Sequence, residues 1–187
     1  MGLPVGRLVC ASNENNVLTD FLTTGTYTAK REFFKTTSPS MDILVSSNLE
    51  RLLYHVTGSD AEVAGFMKSL AEKGSYTVRP ETLAAIQESF GCGWSSEAEV
   101  AGEIKARYEQ DGYLCDTHTA VAFHVAAREK QAGVPMVVLS TASPFKFPRS
   151  VLEALGYTAP ENDFEAMQAL EAATHHTAPA SLAALRR

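Results

Sequence analysis

Three short apolar runs, each followed by a polar cluster, constrain what this chain can fold into. They occupy residues 7–11, 113–115 and 136–139, and the third, Met-Val-Val-Leu, is continuously apolar. A run of this kind is typical of a strand that is buried on both faces of a parallel sheet. Helical patterns follow the runs, and strands joined through helices pair in parallel by right-handed crossovers. The sequence therefore predicts an α/β fold built on a parallel sheet.

Polar side chains cluster where each predicted strand ends. The clusters lie at residues 12–16, 116–119 and 140–143. Ligands bind at the carboxyl ends of parallel strands in α/β sheets, and those ends face one edge of the sheet. We therefore predict a binding site where the three clusters meet. Each cluster taken alone has a simpler alternative, because Ser, Asn and Asp commonly cap helices and form turns.

Most of the remaining sequence has a helical pattern. Ser40 is placed to cap a long helix whose apolar face runs through residues 41–56, and Gly58 is placed to end it. Residues 59–111 carry amphipathic patterns without a predicted strand, including a capping-box sequence at residues 96–99. This stretch is expected to form an all-helical insert in the sheet domain.

Composition and charge narrow the classes of function. The chain has 187 residues, 45% of them hydrophobic, with a net charge of −6 and a pI near 5.4. An acidic chain without a basic cluster argues against nucleic-acid binding. Without a membrane-length apolar run or a secretory signal pattern, we expect no membrane partner and a cytoplasmic location. Cys10, Cys92 and Cys115 lack metal-ligand spacing and are expected to be reduced thiols without a chemical role.

Five stretches follow one known family pattern in order along the chain. They are ASNENNVLTDF (11–21), TGTY (24–27), SPSMDILVSSNLER (38–51), DTHTAVA (116–122) and STASPFKF (140–147). Together they resemble the C-terminal part of the threonine synthase family. Threonine synthases are pyridoxal-phosphate (PLP) enzymes of the tryptophan-synthase-β-like fold that convert O-phosphohomoserine and water to L-threonine and phosphate. The resemblance implies part of the parallel-sheet, three-layer large domain of a fold type II PLP enzyme.

The resemblance also implies which residues line the site. Thr141 is implied to hydrogen-bond the pyridine nitrogen of PLP, and such a hydroxyl contact leaves this nitrogen largely unprotonated, which suits replacement chemistry. Ser140 and Asn13 are implied as further cofactor contacts. Substrate contacts are implied for Ser40, Asp42, Asn16, His118 and Lys146. Of these, Lys146 and Ser40 are candidates for binding the substrate phosphate. No metal site is implied.

Two family features have no counterpart in this sequence. None of the seven lysines lies in the motif of the Schiff-base lysine, and no Gly-Asn-Phe-Gly-type loop is present to hold the cofactor phosphate. The resemblance therefore implies a C-terminal portion whose catalytic lysine belongs to a missing N-terminal portion. We expect the complete enzyme to be a PLP-dependent lyase and the isolated chain to be inactive. Two alternatives stay open: a non-catalytic complementation module and a pseudoenzyme with an interaction role.

The helical pattern and the resemblance together divide the chain into segments. Residues 1–58 and 112–160 are expected to form the C-terminal part of the PLP-binding α/β domain. Residues 59–111 are expected to form the helical insert, and residues 161–187 a C-terminal helical tail. The expected partners are O-phosphohomoserine and the missing N-terminal portion. Exposed sheet edges are also expected to favour self-association of the fragment.

Overall fold

The computed structural model describes residues 2–186, so the terminal Met1 and Arg187 of the predicted segments lie outside the described residues. The contacts between residues divide the chain into two units. The first unit contains the chain up to Lys35 together with Ser40–Trp94. The second unit contains Thr36–Pro39 and the chain from Ser95 onward. Each unit buries its own set of apolar side chains and is described by itself.

The first unit alternates strands and helices. In chain order its elements are β1 (Leu8–Ser12), α1 (Val17–Thr24), β2 (Thr26–Thr28), α2 (Leu49–Thr57), α3 (Asp60–Lys73), β3 (Ser75–Thr77), α4 (Pro80–Ser89) and β4 (Phe90–Trp94). A short 3₁₀ turn, Pro39–Met41, lies in the connection before α2. β1 pairs with β4 in parallel, with Leu8 opposite Phe90 and Ser12 opposite Trp94. β2 pairs with β3 in antiparallel.

Aromatic side chains fill the centre of the first unit. Phe21 and Tyr27 are 0% and 1% exposed. The rings of Tyr27 and Tyr76 stack with a centroid distance of 5.3 Å and an interplanar angle of 2°. These two residues are also directly opposite each other in the register of β2 and β3, so strand pairing and ring stacking support each other. Phe66 of α3 stacks on Tyr76 at 5.2 Å, which ties α3 to β3.

The second unit contains helices and no strand among its described residues. Its α-helices are α5 (Glu97–Asp111), α6 (Thr117–Glu129), α7 (Pro148–Ala154), α8 (Asp163–Thr174) and α9 (Ala180–Ala183), with a 3₁₀ turn at Pro144–Lys146. Helix α5 packs against α6 and α7, and α7 packs against α8. The capping box predicted at the start of α5 is confirmed, with Ser96 and Glu99 as its two members. No helix within residues 2–186 is long and apolar enough to cross a bilayer.

The predicted sheet is correct only in part. The mixed α/β character and the parallel pairing are confirmed, and β1 lies where the first strand is predicted. The second and third predicted strands, residues 113–115 and 136–139, are wrong because neither pairs with a strand in the described part of the chain. Val137 and Leu139 are 77% and 74% exposed and Met136 and Val138 are half-buried, so the run predicted to be buried is not buried on both faces. The partner of β1 is β4, whose two glycines are unusual inside a strand.

Two helical predictions also differ from the structure. Residues 59–111 are not all helical, because β3 and β4 lie within them. The long helix predicted after Ser40 is wrong, since Ser40 lies in the 3₁₀ turn and α2 begins only at Leu49. The Tyr27 hydroxyl bonds the Leu44 carbonyl and the Ser46 N–H, which a continuous helix would use internally. The division into a cofactor-binding part, an insert and a tail stays a prediction.

Candidate functional site

Asn13, Asn15 and Asp42 form a hydrogen-bond network at the end of β1. Asn13 Nδ2 donates to Asp42 Oδ1 over 2.8 Å, and Asn15 Nδ2 donates to the same oxygen over 3.0 Å. The turn after the strand is closed by Asn13 Oδ1, which accepts from the Asn15 N–H at 2.9 Å. The two asparagines are 0% and 2% exposed. Two buried amide groups therefore donate to the Asp42 carboxylate. Buried amides need such hydrogen-bond partners, so the contact also satisfies the two asparagines.

The loop that carries Asp42 is tied to the core by Tyr27. The Tyr27 hydroxyl donates to the Leu44 carbonyl at 3.0 Å and accepts from the Ser46 N–H at 2.8 Å. Because the Tyr27 ring is buried and stacked on Tyr76, its hydroxyl has a fixed position. Burial raises the pKa of Tyr27, while the bond from Ser46 lowers it. The phenol stays neutral at neutral pH and acts as both donor and acceptor.

Two further predicted residues of the first unit lie nearer the surface. Asn16 Oδ1 accepts from Arg31 Nη2 at 2.5 Å, and the Arg31 guanidinium also pairs with Asp20 at 2.5 Å. Ser40 is exposed and lies in the 3₁₀ turn, two positions before Asp42. Asn16 therefore bonds the arginine of the Arg31–Asp20 ion pair. Ser40 is exposed to solvent and lies close to Asp42 in the sequence.

In the second unit, Asp116 holds the start of α6. Its carboxylate accepts from the backbone N–H groups of His118 at 2.9 Å and Thr119 at 3.2 Å, and from the Thr119 hydroxyl. His118 Nδ1 lies 3.2 Å from the same carboxylate. Burial acts to raise the pKa of Asp116, but the hydrogen bonds from His118 and Thr119 outweigh it and lower the pKa. Since an ionised carboxylate only accepts, this contact favours the tautomer of the imidazole that carries its proton on Nδ1, in which Nε2 is an acceptor.

Phe147 lies between His118 and Lys146. The rings of Phe147 and His118 have a centroid distance of 4.8 Å, and Lys146 Nζ lies 5.9 Å from the centre of the Phe147 ring. Lys146 also lines an open pocket of ≈ 300 Å³ with Arg149 and Ser150. An ammonium, a guanidinium and a hydroxyl are groups that bind phosphate oxygens. Two carboxylates on the same pocket, those of Glu153 and Asp163, balance part of the positive charge.

Ser140 and Thr141 lie on a segment, residues 134–141, that contains neither helix nor strand. The Tyr113 hydroxyl donates to Ser140 Oγ at 3.0 Å, and the Tyr113 ring meets Phe123 edge-on at 5.9 Å. Thr141 is exposed, and its hydroxyl makes no hydrogen bond to any described residue. Such a hydroxyl is able to donate to a ligand or accept from it. The described residues include no group of three or more His, Cys, Asp or Glu side chains placed to hold a metal ion.

Comparison with known proteins relates these residues to a family. The family model described as "Threonine synthase, C-terminal" matches residues 119–187. The threonine synthase of Methylobacillus glycogenes is 40% identical over 162 residues, which cover 84% of this chain and 34% of that protein. This chain corresponds to the C-terminal portion of a threonine synthase.

A solved structure and a second relative agree with this threonine synthase correspondence. The crystal structure of PLP-bound threonine synthase from Brucella melitensis is similar with a TM-score of 0.81 and 38% identity, over 96% of this chain and 42% of that chain. Threonine synthase-like 1 of Pongo abelii is 38% identical over 157 residues, which cover 83% of this chain and 21% of that protein. The chain therefore spans about a fifth to a third of the length of the curated relatives it matches.

Some contacts in this threonine synthase portion are not visible in the sequence. Asn15, which is not among the predicted site residues, bonds Asp42, although the asparagines after β1 look equivalent in the sequence. The run of asparagines after a strand was the only signal for Asn15. Arg149 joins Lys146 at the pocket without belonging to any recognised motif. Only the folded chain shows which of these polar groups meet.

Proposed function

We propose that this chain is the C-terminal portion of an enzyme that uses PLP to convert O-phosphohomoserine and water to L-threonine and phosphate. Threonine synthases among its relatives support the proposal. The observation that carries it is the 2.8 Å hydrogen bond between Asn13 and Asp42. These residues come from two separate stretches with the family pattern, and they meet at the carboxyl end of β1. Ligands are expected at that end of a parallel strand.

Thr141 is the residue that we assign to the pyridine nitrogen of PLP. Its exposed hydroxyl is not bonded to another described residue, so it fits this contact. Ser140 lies next to it, and Tyr113 orients the Ser140 hydroxyl. Asn13, which the resemblance assigns to the cofactor, acts through Asp42 because its amide is bonded there. When bound, PLP supplies an electron sink for chemistry on the amino-acid substrate.

Lys146 is the residue of the second unit that we assign to the substrate phosphate. Its pocket adds the Arg149 guanidinium and the Ser150 hydroxyl, and this group of donors suits a phosphate dianion. His118 is proposed as a second substrate contact, with the Asp116 carboxylate as the group that orients its ring. The Nε2 atom of His118 is then placed to accept a proton rather than to donate one in the neutral ring.

Three residues of the first unit are proposed as substrate contacts. Asp42 offers a carboxylate of fixed position, which suits the ammonium group of an amino acid. Ser40 offers an exposed hydroxyl on the 3₁₀ turn. Asn16 keeps its Nδ2 donor available, because only its Oδ1 is bonded to Arg31.

The proposed activity is tested in a complete enzyme. This chain replaces the matching C-terminal third of the Methylobacillus glycogenes synthase, and release of phosphate from O-phosphohomoserine is measured together with threonine formation. Visible absorbance of PLP reports cofactor binding separately. We expect a chimera that binds PLP and forms threonine and phosphate in equal amounts. A chimera that binds PLP and forms neither product refutes the proposed activity and favours the pseudoenzyme alternative.

Matched variants of this chimera test the individual roles. Thr141→Ser keeps the hydroxyl and is expected to keep activity, whereas the isosteric Thr141→Val is expected to lower it. Lys146→Met removes a charged hydrogen bond, which is worth about 1.5–3 kcal/mol, so kcat/KM is expected to fall about 10- to 100-fold. Lys146→Arg keeps the charge and serves as its control. Equal kcat/KM values for Lys146→Met and Lys146→Arg would contradict the phosphate assignment.

A second candidate function is a module that docks with a separate N-terminal portion. The exposed side chains of Val137 and Leu139 favour it, because exposed apolar residues that lie close together often mark an interaction surface. We propose that the isolated chain is inactive on its own. Mixing it with the N-terminal portion of the Methylobacillus glycogenes synthase is expected to restore phosphate release if docking occurs. Failure of the two chains to co-elute on size exclusion would count against the docking module.

A further inference from the structure

Two cysteines that are distant in the sequence are neighbours in the sheet. Cys10 of β1 and Cys92 of β4 are directly opposite each other in the parallel register. Strands in a sheet lie about 4.7–4.9 Å apart, and a disulfide spans Cα atoms separated by about 4.4–6.8 Å. The backbone spacing of this pair therefore permits a disulfide. Both thiols are free in the structure.

The two side chains also share one face of the sheet. Both are partly buried and pack against the core of the first unit, and paired residues of neighbouring strands point to the same face. Cys92 Sγ lies 3.7 Å from the Thr19 carbonyl and 3.6 Å from the Thr23 hydroxyl, both on α1. Thr23 is exposed, so the Cys92 sulfur lies beside a side chain that is open to solvent. The shared face of the two side chains and the access of solvent to Cys92 are therefore consistent with a disulfide, as is the backbone spacing.

We propose that Cys10 and Cys92 form a thiol–disulfide exchange site that reacts with low-molecular-weight disulfides and closes to a cross-strand disulfide. Sequence spacing does not indicate this site, because the two cysteines are 82 positions apart, from 10 to 92. The inference does not depend on the proposed enzymatic function, since it concerns only the β1–β4 ladder.

The reaction takes place in two exchange steps. In the first, the Cys92 sulfur loses its proton to solvent and attacks the disulfide R–S–S–R, which forms a Cys92–S–S–R bond and releases one R–S⁻. In the second, the Cys10 sulfur loses its proton and attacks Cys92, which forms the Cys10–Cys92 bond and releases the second R–S⁻. The protein loses two protons and two electrons, and the small disulfide takes them up and is reduced to two thiols.

The order of the steps follows from the surroundings of Cys10. Burial, and next the neighbouring Cys92, raise the pKa of the Cys10 thiol. Cys10 is therefore a poor first nucleophile, since the thiolate is the reactive form. Capping Cys92 in the first step removes one of the groups that hold the pKa of Cys10 up. The third cysteine, Cys115, is buried, and burial raises its pKa to about 12, so it is expected to stay reduced.

The test incubates the reduced chain with oxidised glutathione under native conditions. Intact mass, free-thiol titration and peptide mapping follow the products. We expect a mass lower by two hydrogens, a fall from three free thiols to one, and a linked peptide that contains Cys10 and Cys92. Excess reduced dithiol is expected to restore all three thiols. The oxidised chain is also expected to unfold at a higher urea concentration, because the bond constrains a long loop in the unfolded chain.

Other products would overturn the proposal. These are stable glutathione adducts without linkage, a linkage that includes Cys115, a covalent dimer on a non-reducing gel, or no reaction at all. The variant Cys92→Ser is expected to abolish the linked product, and Cys115→Ser is the control that is expected to retain it. Mapping of the unmodified chain decides the question by itself if either variant folds poorly.

Discussion

Removal of the Tyr27 hydroxyl is the sharpest test of how the first unit is held together. The variant Tyr27→Phe keeps the ring that stacks on Tyr76 but deletes the oxygen that bonds the Leu44 carbonyl at 3.0 Å and the Ser46 N–H at 2.8 Å. The packing of the core therefore stays the same while two hydrogen bonds are lost. Any loss of stability reports on the connection between the core and the Asp42 loop.

The magnitude follows from the number and burial of these bonds. A hydrogen bond contributes about 0.5–1.5 kcal/mol net, so the loss of two lowers the free energy of unfolding by about 1–3 kcal/mol. Leu44 and Ser46 are only partly buried, so water replaces some of what the hydroxyl supplies. We therefore expect about 2 kcal/mol, which corresponds to a shift of about 1 M in the urea midpoint at a typical slope.

Urea unfolding of the chain measures this effect through the fluorescence of Trp94, the single tryptophan, which lies in β4 of the same unit. The control is Tyr54→Phe, because the Tyr54 side chain is 50% exposed and its hydroxyl makes no hydrogen bond to a described residue. Amide exchange adds a local readout, since Ser46 is expected to lose protection while Leu53 in α2 keeps it. The reasoning is refuted if Tyr27→Phe stays within about 0.5 kcal/mol of the unchanged chain and Ser46 exchange does not change.

Three further outcomes are expected. Asp42→Ala should lower the free energy of unfolding by about 1–3 kcal/mol in urea titrations, because Asn13 and Asn15 lose their shared acceptor. Because the pKa of Asp116 is lowered in the folded chain, its ionised carboxylate stabilises the fold fully above the ordinary carboxyl pKa. This stabilisation is lost as pH falls through the pKa of Asp116 in the folded chain. Acid unfolding followed by circular dichroism should therefore be less steep for Asp116→Asn. Burial raises the pKa of Tyr76, so the neutral phenol contributes to the free energy of unfolding fully below about pH 10. This contribution is lost as pH rises through the folded pKa. Tyr76→Phe should therefore resist alkaline unfolding better than the unchanged chain.

Helix ends were the most predictable part of the fold because they depend on local chemistry. Gly58 ends α2 in the left-handed conformation, as its position after an apolar helical pattern predicts, and Gly74 ends α3 in the same way. Strand pairing was harder to predict, because it depends on a partner that lies far along the chain. A Phe-Gly-Cys-Gly-Trp run has weak strand character on its own and becomes β4 only through pairing with β1.

The sequence allowed candidate site residues to be selected, but it did not predict most of the contacts between them. The family pattern selected Asn13 and Asp42, and the structure brings these two together. It also selected His118 and Lys146, which the ring of Phe147 connects. No rule of spacing predicts the contact with His118, since it joins a side chain of α6 to the residue that follows the 3₁₀ turn Pro144–Lys146. The roles of these residues toward cofactor and substrate stay predictions.

Because β1 pairs with β4, the two strands of this parallel pair are synthesised at different times on the ribosome. β1 is complete at Ser12, but its partner does not begin until Phe90. At about 5–20 residues per second, translation leaves β1 without that partner for about 4–16 s. Asn13 and Asp42 are both synthesised well before this interval ends. A nascent chain that stalls before Phe90 thus holds Asn13, Asn15 and Asp42 and still lacks the strand that pairs with β1.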